Sequence, residues 1–358
     1  MNLKKVISVL LVLACVFALA SCSNQTDDQS STTTTTQPTT TSPYKQPEET
    51  GVTVEGKNVY YNIDYTVYIP SSYNSNQQTP LIMALHGGLQ GTGAIDGPRT
   101  LFADFLGLND YADKYGIIVV YPRQSVENHF YRVDYWNWYG QQNRTDDEPK
   151  ALYDILCEVK SEYNIDQSNT YICGFSAGAA MAEIMAVTYP ETFAGCCMVA
   201  GVSYKACQQV DSVTVQTMGP TKTSEELAQE ITNGMGSNAA LRKLLVINGT
   251  DDAMVSPKNS LAAADAWTIA MKGIDTKLDT QLKEESATGK NDVSYSKSVY
   301  ASLNGEEICT HYQINGMGHL WPGAKLGVSL DPFYGTDFAF DGGIDASEIM
   351  CQFFGLDK

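Results

Sequence analysis

Positive charge is scarce in this chain. Lys and Arg number 23 against 41 Asp and Glu, a formal net charge of -18. No basic patch survives that balance, so nucleic acid is not an expected partner. None of the nine cysteines forms a CxxC pair, which leaves zinc and thioredoxin-type chemistry without support. No repeat with a period of about 20–50 residues is visible, which argues against a repeat architecture. Histidine is rare: His86, His129, His311 and His319 are the four present. The apolar run Val6–Ala20 is too short for a comfortable membrane span.

What is there begins with targeting signals. Lys4 and Lys5 precede the apolar run, which closes on Leu19-Ala20-Ser21-Cys22. That tetrapeptide resembles a bacterial lipobox, in which the cysteine becomes the first mature residue and carries the lipid. Residues 1–21 are therefore expected to be a lipoprotein signal peptide, with the membrane engaged only through acyl chains on Cys22. Ser23 to Thr50 is rich in Thr, Ser and Pro and almost empty of large apolar residues. It cannot bury enough surface to fold, so 22–50 is expected to be a disordered tether. Residues 51–358 suit one large domain. Setting Cys15 and Cys22 aside leaves seven cysteines in it, an odd number.

Strand-like and helix-like segments alternate along that domain. "NVYYNIDYTVYIP" has the alternation of an antiparallel strand at the start of a sheet. "PLIMALHGG", "IIVVYP" (stopped by Pro122), "TYICG", "RKLLVINGT" and "ICTHYQING" read as buried strands. "TLFADFLGLNDYADKYG" reads as one helix ending at Gly116, and "DEPKALYDILCEVKSEYNI" as the clearest helix, with Pro149 in its first turn. "AGAAMAEIMAVTYP" and "DASEIMCQFFG" add two more, the latter with Asp345 and Glu348 spaced like a capping box. Such alternation predicts an α/β protein with a mostly parallel central sheet and helices on both faces. Ligand chemistry then belongs at the carboxyl ends of the strands.

Ser176 lies where "TYICG" gives way to "AGAAM". Gly174 and Gly178 let the chain turn tightly between strand and helix and leave the serine projecting, as a nucleophile elbow requires. A serine hydroxyl needs a base. His319, in the loop "NGMGHLWPG" after a predicted strand, is well placed to supply it. His311 falls inside that strand and His129 precedes the serine in a polar loop, so neither is expected to act. The imidazole needs an acid in turn, and "LLVINGTDDAMV" offers Asp251 and Asp252 equally well by spacing. The order Ser…Asp…His is that of α/β-hydrolases. Oxyanion donors are expected from the Ala177 N–H and from the loop His86-Gly87-Gly88, where His86 is read as a structural hydrogen-bonding residue.

Together the segments "PLIMALHGGLQG", "IIVVYPRQS", "YWNWYGQQNRTDDEPKALYDIL", "YICGFSAGAAMAEIMAVTYPETFAG", "VINGTDDAMVS", "GMGHLWPG" and "IDASEIMCQFF" resemble the polyhydroxybutyrate depolymerase-like esterases. That group overlaps carbohydrate esterase family 1, with its feruloyl and acetylxylan esterases. The resemblance implies an α/β-hydrolase fold and a triad of Ser176, Asp252 and His319, preferring Asp252 to Asp251. It also implies oxyanion donors at Gly88 and Ala177 and a helper in Gln90. Many relatives carry cysteine at the positions of Gly88 and Tyr135, so a disulfide beside the oxyanion loop is absent here at both ends. Trp136, Trp138 and Trp321 fall near the rim expected for the active site, where aromatic faces could stack on a phenolic acyl group or a sugar.

The expectation is an envelope-tethered serine esterase that needs neither metal nor organic cofactor and acts on a polymeric or small ester. Feruloyl or acetyl esters on plant polysaccharide come first and a hydroxyalkanoate polyester second. A non-catalytic solute-binding lipoprotein is the rival from another class, and a prolyl-oligopeptidase-type peptidase is disfavoured by the lack of room for a propeller. Oligomeric state is left open.

Overall fold

The computed structural model describes residues 42–58, 62–88, 101–124, 134–276, 278, 280–324 and 338–358. Cys22, Gln90 and His129 lie outside them. A ten-stranded sheet runs through the unit Ser42–Lys358. Its strands are β1 (Val52–Asn58), β2 (Ile63–Ile69), β3 (Thr79–Leu85), β4 (Ile118–Arg123), β5 (Ile165–Phe175), β6 (Gly195–Val199), β7 (Lys243–Gly249), β8 (Thr280–Thr288), β9 (Ser294–Ser302) and β10 (Glu307–Ile314). They lie in the order β1-β2-β4-β3-β5-β6-β7-β10-β9-β8. The six central strands, β4 to β10 in that order, are mutually parallel. The flanking pairs are antiparallel.

Period-two alternation divides the buried strands between two cores. Leu81, Met83 and Leu85 face one layer, packed with α3 (Asp147–Glu162), α4 (Ala177–Thr188), α6 (Ser224–Met235) and α7 (Pro257–Ile274). Ile82 and Ala84 face the other, with α1 (Leu101–Leu106), α2 (Leu108–Tyr115) and α8 (Ala346–Phe354). Since both faces are covered, these strands read as unbroken apolar runs.

Three sequence expectations change in detail. The single helix expected to end at Gly116 is two, α1 and α2, separated by Gly107 at φ 64°. A left-handed residue there breaks the helical ladder, and glycine takes that conformation without a Cβ penalty. β4 runs through Pro122 instead of stopping at it: there β4 pairs only with β2, Pro122 lying opposite Tyr65, so the missing N–H interrupts no central ladder. The end of the expected tether lies on the body. Lys45 N–H donates to Glu162 O at 2.8 Å, Ser42 Oγ to Ser75 O at 2.7 Å and Ser75 N–H to Gln46 Oε1 at 2.8 Å. Polar backbone needs no apolar side chains to dock when such partners are offered. Asp345 caps α8 as expected, accepting from Glu348 N–H at 3.0 Å.

Candidate active site

Ser176 stands between β5 and α4 at φ 55°, ψ -120°, a strained conformation for a residue with a side chain. What holds it there is close packing behind the turn. A Cβ at Gly178 would meet Leu85 O at 2.2 Å, and one at Gly174 would meet Gly178 O at 2.2 Å. Only glycine lets strand and helix approach so closely. Ser176 N–H also donates to Val199 O of β6 at 2.9 Å.

The acid turn and the histidine loop leave neighbouring parallel strands, β7 and β10, at their carboxyl ends. They are joined by backbone. Thr250 N–H donates to Ile314 O and Asp251 N–H to Met317 O, each at 3.0 Å. A Cβ at Gly249 would lie 1.9 Å from Met317 O, so this approach too needs glycine. The result separates the two aspartates. Asp251 is exposed, whereas Asp252 is buried and its Oδ2 meets His319 Nδ1 at 2.8 Å. Asp252 Oδ1 accepts Met254 N–H at 2.9 Å and Val255 N–H at 2.8 Å, which fixes the carboxyl plane. The His319 ring lies on Phe175, centroids 4.8 Å apart.

Ser176 and His319 share one cleft of about 470 Å³ with Gly88 and Ala177. Ala177 opens α4, where the first N–H groups have no partner inside the helix. The other two described histidines are spoken for. His86 Nε2 accepts the Gln124 N–H at 3.0 Å and its Nδ1 donates to Gly87 O at 2.7 Å, the structural role expected of it. His311 Nε2 meets Asn248 Oδ1 at 2.6 Å, and burial lowers its pKa to about 4, so it stays neutral. Burial also pushes the carboxyls of Glu148 and Glu183 up to about 8.

The tryptophans do not act as a set. Trp138 lines the cleft, but Trp136 and Trp321 are 0% exposed and cannot touch a substrate. Trp136 packs against the His86 ring at 5.3 Å, and Trp321 stands edge-on behind Phe175 at 6.3 Å. They back the site and do not line it. The cleft's aromatic wall is completed by Tyr135 and Tyr139, whose hydroxyls are 2.7 Å apart, residues the sequence reading did not select. Val213 of α5 (Ser212–Met218) and Met254 also line the cleft and are well exposed.

The sequence profile of the esterase PHB depolymerase family matches residues 63–274. The chain belongs to this family. It is 29% identical over 304 residues to the poly(3-hydroxyalkanoate) depolymerase C of Paucimonas lemoignei, covering 82% of this chain and 67% of that protein. It is 27% identical over 218 residues to a probable acetylxylan esterase A of Aspergillus terreus, covering 58% and 67%. The acetyl xylan esterase from Aspergillus awamori shares the fold, with a TM-score of 0.61, 20% identity and coverage of 85% of this chain and 99% of that one. The chain is thus an α/β-hydrolase and a carboxylic ester hydrolase.

All seven domain cysteines are free thiols, six buried and Cys157 exposed. At the two positions where the family resemblance implies a cysteine pair, a Cβ built on Gly88 lies 3.7 Å from Tyr135 Cβ. That separation is within the range of disulfides. The double variant G88C/Y135C is expected to oxidise spontaneously and to gain about 2–4 kcal/mol over its reduced form. Non-reducing mass analysis and denaturant unfolding with and without reductant check both points; a pair that stays reduced in air would show that the two loops do not approach as described.

Proposed function

We propose that this esterase works through Ser176, His319 and Asp252. The observation that carries the reading is the 2.8 Å contact between Asp252 Oδ2 and His319 Nδ1 in the cleft that also holds Ser176. Nδ1–H donating to the carboxylate leaves Nε2 as the base for the Ser176 hydroxyl. Ser176 Oγ attacks the ester carbonyl, and the N–H groups of Gly88 and Ala177 hold the oxyanion. His319 then protonates the leaving alcohol, and water repeats the sequence to release the acid. No step calls on a metal or a cofactor.

Cys22 is the lipid attachment point in this reading, and the following Thr-rich segment carries the enzyme off the outer face of a bacterial membrane. Such a tether suits a polymeric substrate. Feruloyl or acetyl esters on plant polysaccharide are the first assignment, supported by the aromatic wall of Tyr135, Trp138 and Tyr139. A hydroxyalkanoate polyester is the second, favoured by the exposed apolar side chains of Val213 and Met254 in the cleft lining. Product release by Ser23–Lys358 from feruloylated, acetylated arabinoxylan and from hydroxybutyrate oligomers decides between them. Ferulate or acetate is expected; hydroxybutyrate alone would promote the polyester. No product from either polymer, with a fluorophosphonate still labelling Ser176, would send the assignment to another class of ester.

A further inference from the structure

Two routes of contact lead to Gly88, and both pass through one buried side chain. Glu148 sits in the first turn of α3, 5% exposed. Its Oε1 accepts Gln124 Nε2–H at 2.7 Å. The backbone N–H of the same Gln124 donates to His86 Nε2 at 3.0 Å, two residues before Gly88. The other oxygen, Oε2, accepts the Asn137 N–H at 2.7 Å. Asn137 belongs to the segment that carries Tyr135, whose Cβ would lie 3.7 Å from a Cβ built on Gly88. Glu148 N–H donates in turn to Gln141 Oε1 at 2.6 Å, closing the far end of that segment onto α3.

We propose that Glu148 is a positioning residue for the oxyanion loop: its carboxyl group clamps the end of β4 to the aromatic segment, and so holds Gly88 from both sides. The proposal rests on the reading of Gly88 as an oxyanion donor. An acceptor at each oxygen is what the two donors require, and burial makes each bond costly to lose. A clamp of this kind does the work that a covalent link between positions 88 and 135 could do, and it is made from side chains outside the cleft lining.

Glu148→Gln tests it at pH 9, above the raised pKa of this carboxyl, where the carboxylate accepts at both oxygens and glutamine, of the same size, would turn an N–H₂ toward an N–H donor. The kcat for a chromogenic acetate ester is expected to fall about 10- to 100-fold, the penalty for a misplaced donor, with KM changing far less. Labelling of Ser176 by a fluorophosphonate should slow in parallel. Gln124→Met removes the bond from Gln124 Nε2 to Glu148 Oε1 and is expected to lose less; it also serves if Glu148→Gln does not fold. Placed in the Glu148→Gln chain, an oxidised G88C/Y135C pair should recover much of the lost kcat and surrender it on reduction.

An unchanged kcat in Glu148→Gln would overturn the proposal. So would a loss that merely tracks the unfolded fraction, or a confirmed disulfide that restores nothing, since the side chain would then serve stability alone. If the parent protein is not labelled at Ser176, the esterase mechanism itself fails and the clamp has no oxyanion site to position.

Discussion

Ser176→Ala is expected to lower kcat for ester hydrolysis by about 10⁶-fold while leaving the protein folded. The size follows from what is removed: without Oγ no acyl-enzyme forms, and His319, Asp252 and the oxyanion donors have no nucleophile to serve. The fold should survive because Ser176 is anchored by its backbone, N–H to Val199 O at 2.9 Å, which alanine retains. Alanine also keeps the Cβ that already tolerates φ 55° in this turn. Hydrolysis of an activated acetate ester, with circular dichroism as the control, measures both halves. A folded variant with full activity would end the nucleophile assignment.

Asp252→Asn is expected to cost about 10⁴-fold in kcat. The reason lies in how the carboxyl group is already engaged. Oδ1 accepts two backbone N–H groups, from Met254 and Val255, so the amide oxygen of an asparagine is drawn to that side. Its N–H₂ is then turned toward His319 Nδ1, 2.8 Å away in the native protein, and an N–H facing it forces Nδ1 to accept. The proton moves to Nε2, and the imidazole presents a donor to Ser176 where a base is needed. Asp251→Asn, on the exposed neighbour, is expected to change little. Steady-state kinetics on the two variants side by side makes the comparison. Equal losses, or a larger one at Asp251, would overturn the assignment of the acid.

The contrast between these aspartates shows how far sequence reading reaches. Both follow a buried strand and both precede His319, so spacing treats them alike. Only the docking of the 249–252 turn on the 314–319 loop buries one and exposes the other. The tryptophans teach the same lesson. Trp136 and Trp138 are two residues apart in one motif, yet one packs behind His86 and the other lines the cleft. A single sequence carries aromatic character but not the side of a loop to which each ring turns.

The edge strands were hidden for a different reason. β8 lies at the end of the sheet and is exposed from Gln281 to Thr288, so nothing selects apolar residues there. Thr280–Thr288 therefore shows no strand pattern, although it pairs with β9 over nine positions. The break at Gly107 escaped because one glycine inside a helical pattern is compatible with either a continuous helix or two.

What the amino-acid order determined alone was the class of protein and a short set of candidate reacting groups. Unbroken apolar runs specify strands buried on both faces, and the glycines around Ser176 specify a turn that a Cβ would block. With so few histidines, the order of Ser176, an acidic turn and His319 left little choice of base. Tertiary structure decided which carboxyl reaches the imidazole, which aromatic rings meet the cleft, and how Glu148 bonds to both Gln124 and Asn137. Those outcomes depend on distances between segments far apart in the chain, and such distances exist only once the sheet has brought the strand ends together.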